Sequence, residues 1–216
     1  PFLANIARRG KPIVLSTGMY EIDEIRQAVR VLADSGCRQL AILHCVTSYP
    51  ADPSIINLKV MDQIRKFFPG PVGYSDHTEG TAVPLAAVAL GADIIEKHIT
   101  IDRDVPNAQD WKVSCDPTNF ASFVADIRKV ERAKGGGPKV LSDFERKSLL
   151  WARKSLTAVR PIAKGALLTA DMLVAQRPGT GICPSEIGAV IGQFASREIV
   201  VGEVMLPDMI VRSGGK

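Results

Sequence analysis

The sequence is poor in several things. Four of its 216 residues are cysteines, Cys37, Cys45, Cys115 and Cys183, and none forms a Cys-x-x-Cys pair. That is too sparse for a disulfide scaffold and predicts a reduced, cytoplasmic setting. No stretch reaches the roughly 18–20 continuous apolar residues of a membrane span. The longest apolar run, 82–90, contains Pro84 and gives way to Gly91-Ala92-Asp93, so no membrane segment is expected. The start, Pro1-Phe2-Leu3-Ala4, lacks the basic region and long apolar stretch of a signal peptide. Charge of one sign is scarce too. Lys and Arg total 27 against 23 Asp and Glu, a net charge of +4 that is dispersed, so nucleic acid is not an expected partner. No Gly-x-Gly-x-x-Gly follows a strand signal and no Gly-x-x-x-x-Gly-Lys-Ser/Thr occurs, which disfavours nucleotide binding of those two kinds.

What is present is a regular beat. Over the first 135 residues strand and helix signals alternate. Residues 11–16 form a short apolar run ending at Thr17-Gly18. Ile22, Ile25, Val29 and Leu32 then predict a helix over 22–34, stopped by Ser35-Gly36. Residues 39–46 predict the second strand. A helix is expected over 55–68, with Leu58, Met61 and Ile64 spaced by three and Pro69-Gly70-Pro71 as the break. Val72-Gly73-Tyr74-Ser75 predicts a third strand, 81–90 a buried helix, 92–100 the fourth strand and 117–134 a further helix. Four strand–helix units in succession predict an α/β fold with a parallel sheet and helices outside it. A complete (β/α)₈ barrel usually takes about 250 residues, so this length falls short of one.

Gly135-Gly136-Gly137-Pro138 marks a boundary. Residues 142–153 are charged, and Ser142 with Glu145 suits a capping box. After Lys154, β-like runs at 155–159, 198–201 and 209–212 alternate with Gly and Pro, as in a small second domain.

Each of the four strands ends in polar residues: Ser16-Thr17-Gly18, His44-Cys45-Val46-Thr47-Ser48-Tyr49-Pro50, Ser75-Asp76-His77-Thr78 and Glu96-Lys97-His98-Ile99-Thr100. In a parallel α/β barrel these ends converge on the mouth where the site lies. The three histidines, His44, His77 and His98, all fall there. His77 and His98 are one strand–helix unit apart, so two neutral imidazoles from adjacent strands suit a divalent metal with open positions. The competing reading is that each histidine bonds backbone near a strand end. Ser16 and Ser75 suit an anion, or else ordinary turn chemistry. Cys45 reads as a buried filler, with His44 on the opposite strand face. Trp111 and Trp151 read as packing residues.

The four strand-end motifs, which extend upstream to Lys11-Pro12-Ile13-Val14-Leu15, resemble in order those of the sialic acid synthase family. Arg177-Pro178-Gly179-Thr180-Gly181-Ile182, with Arg153-Lys154-Ser155-Leu156 and Ile162-Ala163-Lys164-Gly165, resembles the family's C-terminal antifreeze-like (SAF) domain. The resemblance implies strands five to eight of a (β/α)₈ barrel over residues 1–135, with 1–10 as the helix before the fifth strand. It further implies a linker over 136–152 and the SAF domain over 153–216. The family condenses phosphoenolpyruvate with an N-acylated amino sugar, typically N-acetylmannosamine, using a divalent metal, usually Mn²⁺, with Mg²⁺ or Co²⁺ as alternatives. By resemblance, His77 and His98 are the catalytic metal ligands. Ser16 and Ser75 match residues that hold phosphoenolpyruvate. Tyr49 and Asp110 match sugar contacts. Arg177 matches an arginine that reaches the other subunit's site in a domain-swapped homodimer.

Two departures stand out. Residues 105–114 replace the family's Pro-Gly-Pro-Asp-His pattern while keeping the acid. The family's first-half strands, with their glutamate and phosphoenolpyruvate-binding lysines, are absent from these residues. The expectation is therefore a fragment that needs a missing N-terminal half-barrel. The alternatives are a non-catalytic SAF binding module with a barrel remnant, and a synthase for a legionaminic or pseudaminic precursor.

Overall fold

The computed structural model describes residues 1–103 and 110–211. The chain divides into two compact units, 1–136 and 137–216. No helix among the described residues is long and apolar enough to cross a membrane.

The first unit is a four-stranded parallel sheet in sequential order. Its strands are β1 (Ile13–Ser16), β2 (Leu40–Cys45), β3 (Val72–Asp76) and β4 (Ile95–Lys97). The helices are α1 (Phe2–Ala7), α2 (Ile22–Asp34), α3 (Val60–Arg65), α4 (Ala82–Ala89) and α5 (Phe120–Lys134). The expected α/β alternation is therefore present. Helix α2 has the residues its periodicity predicts, and its buried face is Ile25, Ala28 and Leu32. The Glu21 and Glu24 side chains close a capping box at its start, and the chain leaves it through Gly36 at φ +93°.

The helix expected over 55–68 is a correction. Only Val60–Arg65 is α-helical, and a separate 3₁₀ turn occupies Pro53–Ile55. Asp52 caps that turn through the Ser54 amide, and Asn57 at φ +48° breaks the path between the two pieces. Period-three apolar residues are therefore shared between two short elements.

Side chains alternate across a strand, so the two faces of the sheet differ. Ile42, Val72 and Tyr74 face the helices and pack with Ile25, Met61, Ile64 and Ala87. His44 lies on the same face, beside the Tyr74 ring, and its Nε2–H donates to the Ile56 carbonyl at 2.6 Å. It is a structural histidine. The opposite face carries Val14, Ser16, Cys45, Ser75 and Glu96, with Val14 left 55% exposed. A Cβ on Gly73 would meet the Ile94 carbonyl oxygen at 2.2 Å, so glycine is what lets β3 and β4 approach here.

In the second unit, α6 (Asp143–Ala152) has the expected capping box, with Ser142 Oγ accepting from the Glu145 amide and the Glu145 carboxylate accepting from the Ser142 amide. Residues 136–152 thus contain a helix within the expected linker. Trp151 is 60% exposed, against the packing role expected of it, and Trp111 is half-buried.

Strand β5 (Ser155–Ala158) pairs antiparallel with β6 (Leu173–Gln176), and β7 (Phe194–Ala195) with β8 (Ile210–Val211). A short helix, α7 (Ile187–Val190), lies between β6 and β7. The run expected over 198–201 contributes a single bridge, Ile162 to Ile199. Arg212, in the run expected over 209–212, lies outside the described residues. The core is Leu156, Ile162, Leu168, Ile199, Met205 and their neighbours.

Buried Ser155 locks two segments of this unit together. Its hydroxyl donates to the Pro178 carbonyl at 2.7 Å and accepts from the Gly181 amide at 2.8 Å. Gly179 and Gly181 leave no room for a Cβ, which would sit 2.6 Å from Arg153 Cβ and 2.3 Å from the Met205 oxygen.

Two predictions follow from these contacts. Ser155→Ala strands the Gly181 amide and should cost about 1–3 kcal/mol, read as an earlier denaturant midpoint; an unchanged midpoint would contradict the clamp. Burial holds the His44 pKa below its ordinary 6.5, against the opposing pull of the Ile56 carbonyl. Below about pH 6.5 the unfolded chain then takes up a proton that the fold resists. Stability should fall as pH drops through that value and level off only below the folded-state pKa. His44→Gln should flatten this part of the stability profile, and an identical slope in the variant would rule His44 out as its source.

Candidate active site

The strand ends of the first unit place their polar side chains by the alternation just described. β3 and β4 pair in register, Ser75 opposite Glu96 and Asp76 opposite Lys97. His77 and His98 follow directly, on the Ser75 and Glu96 side. Their rings lie 5.1 Å apart, centroid to centroid, and nearly perpendicular at 80°.

His77 is buried at 4% exposure. Its Nδ1 is 2.8 Å from the Val46 carbonyl, with Cys45 Sγ at 3.7 Å. A carbonyl only accepts, so Nδ1 carries the proton and Nε2 keeps its lone pair. His98 Nδ1 lies 3.5 Å from Asp110 Oδ2. The His98 segment is tied by paired backbone bonds, Cys115 N to His98 O at 2.7 Å and Thr100 N to Cys115 O at 2.8 Å. Asp110 sits beneath a Ser114 hydroxyl that donates to its carbonyl at 2.7 Å.

Tyr49 reaches the pair from the loop after β2. The Ala51 amide donates to the His77 carbonyl at 2.8 Å, which draws the loop in. The Tyr49 ring then lies 4.1 Å from the His77 ring and 5.7 Å from that of His98. Burial raises the phenol pKa, and Cys45, Asp110 and Glu96 raise it further, so the hydroxyl stays protonated. Four expected residues, Tyr49, Ser75, His77 and His98, follow or end these strands, and Asp110 reaches His98 from a 3₁₀ turn, Asp110–Val113.

Ser75 is buried, and its hydroxyl donates to Glu96 Oε1 at 2.6 Å. Glu96 is the site residue that sequence reasoning passed over. Its position two residues before His98 was visible in the motif, but its partner Ser75, one strand over, emerges only from the register. Ser16 is exposed on the edge strand β1, where Thr17 rather than Ser16 bonds across to β2, through Oγ1 to the Leu43 carbonyl at 2.8 Å. Arg177 belongs to the second unit, where its exposed side chain donates through Nε to the Ala152 carbonyl at 3.2 Å. Of the variant loop 105–114, residues 105–109 lie outside the described residues.

Two imidazoles, each with Nδ1 turned to an acceptor and Nε2 left to bind, fit a divalent metal. No group of three or more His, Cys, Asp or Glu that would enclose an ion occurs among the described residues.

Residues 1–139 match the NeuB family model and residues 153–211 the SAF domain model. An uncharacterized protein of Methanocaldococcus jannaschii is 45% identical over 84% of this chain and 54% of its own length. An N,N'-diacetyllegionaminic acid synthase of Campylobacter jejuni is 39% identical over 95% of this chain and 62% of its own length. The human N-acetylneuraminate-9-phosphate synthase is 33% identical over 100% of this chain and 60% of its own length. The chain thus spans a little over half the length of these relatives.

Among solved structures, a sialic acid synthetase of Leptospira borgpetersenii in complex with citrate aligns with TM-score 0.61 at 34% identity, over 68% of this chain and 51% of that one. A spore coat polysaccharide biosynthesis protein of Bacillus subtilis aligns with TM-score 0.58 at 33% identity, over 99% of this chain and 64% of that one. With its parallel sheet and these matches, the chain belongs to the NeuB family and carries a SAF domain C-terminal to its sheet unit in the sequence.

Proposed function

We propose that the full-length protein condenses phosphoenolpyruvate with the open-chain aldehyde of an N-acylated amino sugar. C3 of phosphoenolpyruvate forms the new bond to the aldehyde carbon, water adds at C2, and phosphate leaves with C–O cleavage to give a 2-keto acid. The observation that carries this reading is the His77–His98 pair at the ends of adjacent strands, with Tyr49 and Asp110 beside it. His77 and His98 would hold a divalent ion, Mn²⁺ in the first instance with Mg²⁺ or Co²⁺ as alternatives, which when bound would polarise the aldehyde oxygen.

The chain's own groups bind and orient. Tyr49, kept protonated, donates to a sugar oxygen, and Asp110 accepts from a sugar hydroxyl. Ser16 and Ser75 hold phosphoenolpyruvate oxygens, Ser75 by turning its proton away from Glu96. Arg177 engages the N-acyl group of the partner's substrate in a domain-swapped homodimer, where its planar fork fixes the carbonyl.

Charge supports a further element of the reading. Glu96 and Asp110 flank the histidines, while Lys97 is sequestered on the other sheet face. A phosphate ester cannot sit beside two carboxylates without added positive charge. Beyond the metal, lysines on the second and fourth of four further strands supply it. Those strands complete a barrel of which β1–β4 form the second half, in a cytoplasmic enzyme. The exposed Val14 on the site face suits such a completed interior. A di-N-acylated acceptor is the second reading for the sugar, favoured by the higher identity to the diacetyllegionaminic acid synthase, 39% against 33% for the human protein.

In the full-length protein, His77→Ala and His98→Ala should each weaken Mn²⁺ binding by more than about 100-fold, beyond the range of outer-shell changes, and abolish phosphate release. Tyr49→Phe should keep the Mn²⁺ affinity and raise KM for the sugar. Calorimetry and a phosphate assay over a panel of mono- and di-N-acylated sugars read these outcomes. Wild-type Mn²⁺ affinity in both histidine variants would sink the reading.

A further inference from the structure

Behind the two histidines lies a buried ion pair with no part in the chemistry above. Asp76 and Lys97 end β3 and β4 and face one another in register. Lys97 Nζ is 2.7 Å from Asp76 Oδ2, with the side chains 4% and 0% exposed. The second carboxylate oxygen, Oδ1, accepts from the Thr78 amide at 3.0 Å and the Thr78 hydroxyl at 2.8 Å. Lys97 Nζ also donates to the Thr78 carbonyl at 2.6 Å. Asp76 precedes His77, Thr78 follows it, and Lys97 precedes His98. The network therefore grips the backbone on both sides of His77 and joins it to the residue before His98.

Strand alternation turns Asp76 and Lys97 away from the face that His77 and His98 occupy. The pair is not an obvious stabiliser, since burying two charges costs desolvation that their attraction commonly only offsets, and apolar replacements of similar volume are often neutral or better. What a salt bridge does that an apolar pair does not is fix direction and distance, here through a lysine with two acceptors and a carboxylate with three donated bonds. Small displacements matter at the other end, because metal ligands must stay close to their bonding geometry.

We infer that Asp76 and Lys97 are positioning residues that set the separation and orientation of His77 and His98 for a shared divalent ion. The inference rests on the metal reading of the preceding subsection. Thr78 is the third member, since it closes the loop of bonds around His77.

The test uses the full-length protein, with Mn²⁺ affinity from calorimetry, the visible spectrum of the Co²⁺-loaded protein as a measure of ligand geometry, and the melting temperature as a measure of fold. Asp76→Asn should weaken Mn²⁺ binding by about tenfold, the lower end of the range for groups behind metal ligands, and alter the Co²⁺ bands. Removing one partner leaves a charge unpaired, so this variant also risks the fold. The charge-free double variant Asp76→Leu/Lys97→Met separates the two effects. It should recover the wild-type melting temperature while Mn²⁺ affinity stays weakened and the Co²⁺ spectrum altered. A double variant with wild-type affinity and spectrum would overturn the positioning role and leave the metal reading intact. Absence of Mn²⁺ and Co²⁺ binding by the wild-type protein would overturn both.

Discussion

The register between β3 and β4 is the constraint on which the site depends. Side chains alternate with a period of two, so a slip of one residue would exchange the faces of every residue on the slipped strand. His77 or His98 would then turn toward the helices, and Tyr74 or Lys97 toward the open face. The observed pairing, Tyr74 with Ile95, Ser75 with Glu96 and Asp76 with Lys97, avoids this. Its upstream anchor is steric. Gly73 lies so close to the Ile94 carbonyl that any side chain would collide with it. Its downstream anchor is the buried bond between Asp76 and Lys97. An apolar fit at one end and a directional bond at the other leave the strands little freedom to slide.

The same alternation separates charge. Glu96 and Asp110 lie beside the histidines, while Lys97, the basic residue in the four strand-end motifs after Lys11, is held on the far face by Asp76 and Thr78. The open face of this unit therefore gathers groups that attract cations. Burial and the same acidic neighbours hold the Tyr49 phenol protonated, so it remains a donor. Tyr74, by contrast, is fully buried on the helical side, where burial first and then the neighbouring Asp76 carboxylate push its pKa up strongly.

Much of the helical structure was legible because its signals are local. The spacing of Ile22, Ile25, Val29 and Leu32 marks α2, Gly36 ends it, and the Ser142–Glu145 box starts α6. The reading failed where a local pattern had two explanations. Leu58, Met61 and Ile64 share a period with a long helix, yet Pro53 and Asn57 divide that segment into a turn and a short helix. Trp151 looked like a core residue by type and lies exposed on α6. β6 was missed because its burial does not alternate: Leu173 is buried and Val174, Ala175 and Gln176 are exposed. It is a strand because β5 pairs with it across the unit, and such pairing leaves no trace in a short window of sequence. Glu96 was likewise visible as a letter, but its bond to Ser75 depends on two strands meeting in register.

The strand-end motifs are contiguous strings rather than alternating ones, and the geometry gives the reason. In Tyr74-Ser75-Asp76-His77-Thr78, Tyr74 fills the helix-side core, Ser75 meets Glu96, Asp76 meets Lys97, His77 faces Tyr49 and His98, and Thr78 closes the bonds around Asp76. An ordinary half-buried strand constrains one face and leaves the other free to vary. Here both faces are committed, one to packing and its buried ion pair, the other to the site. The second unit repeats the logic without a sheet of this kind. Ser155 occupies both its donor and its acceptor sites on Pro178 and Gly181, and the two glycines beside Arg177 are required by contact with Arg153 and Met205. A motif of unbroken length is therefore what a segment looks like when packing, hydrogen bonding and chemistry each claim different residues of the same few turns of chain.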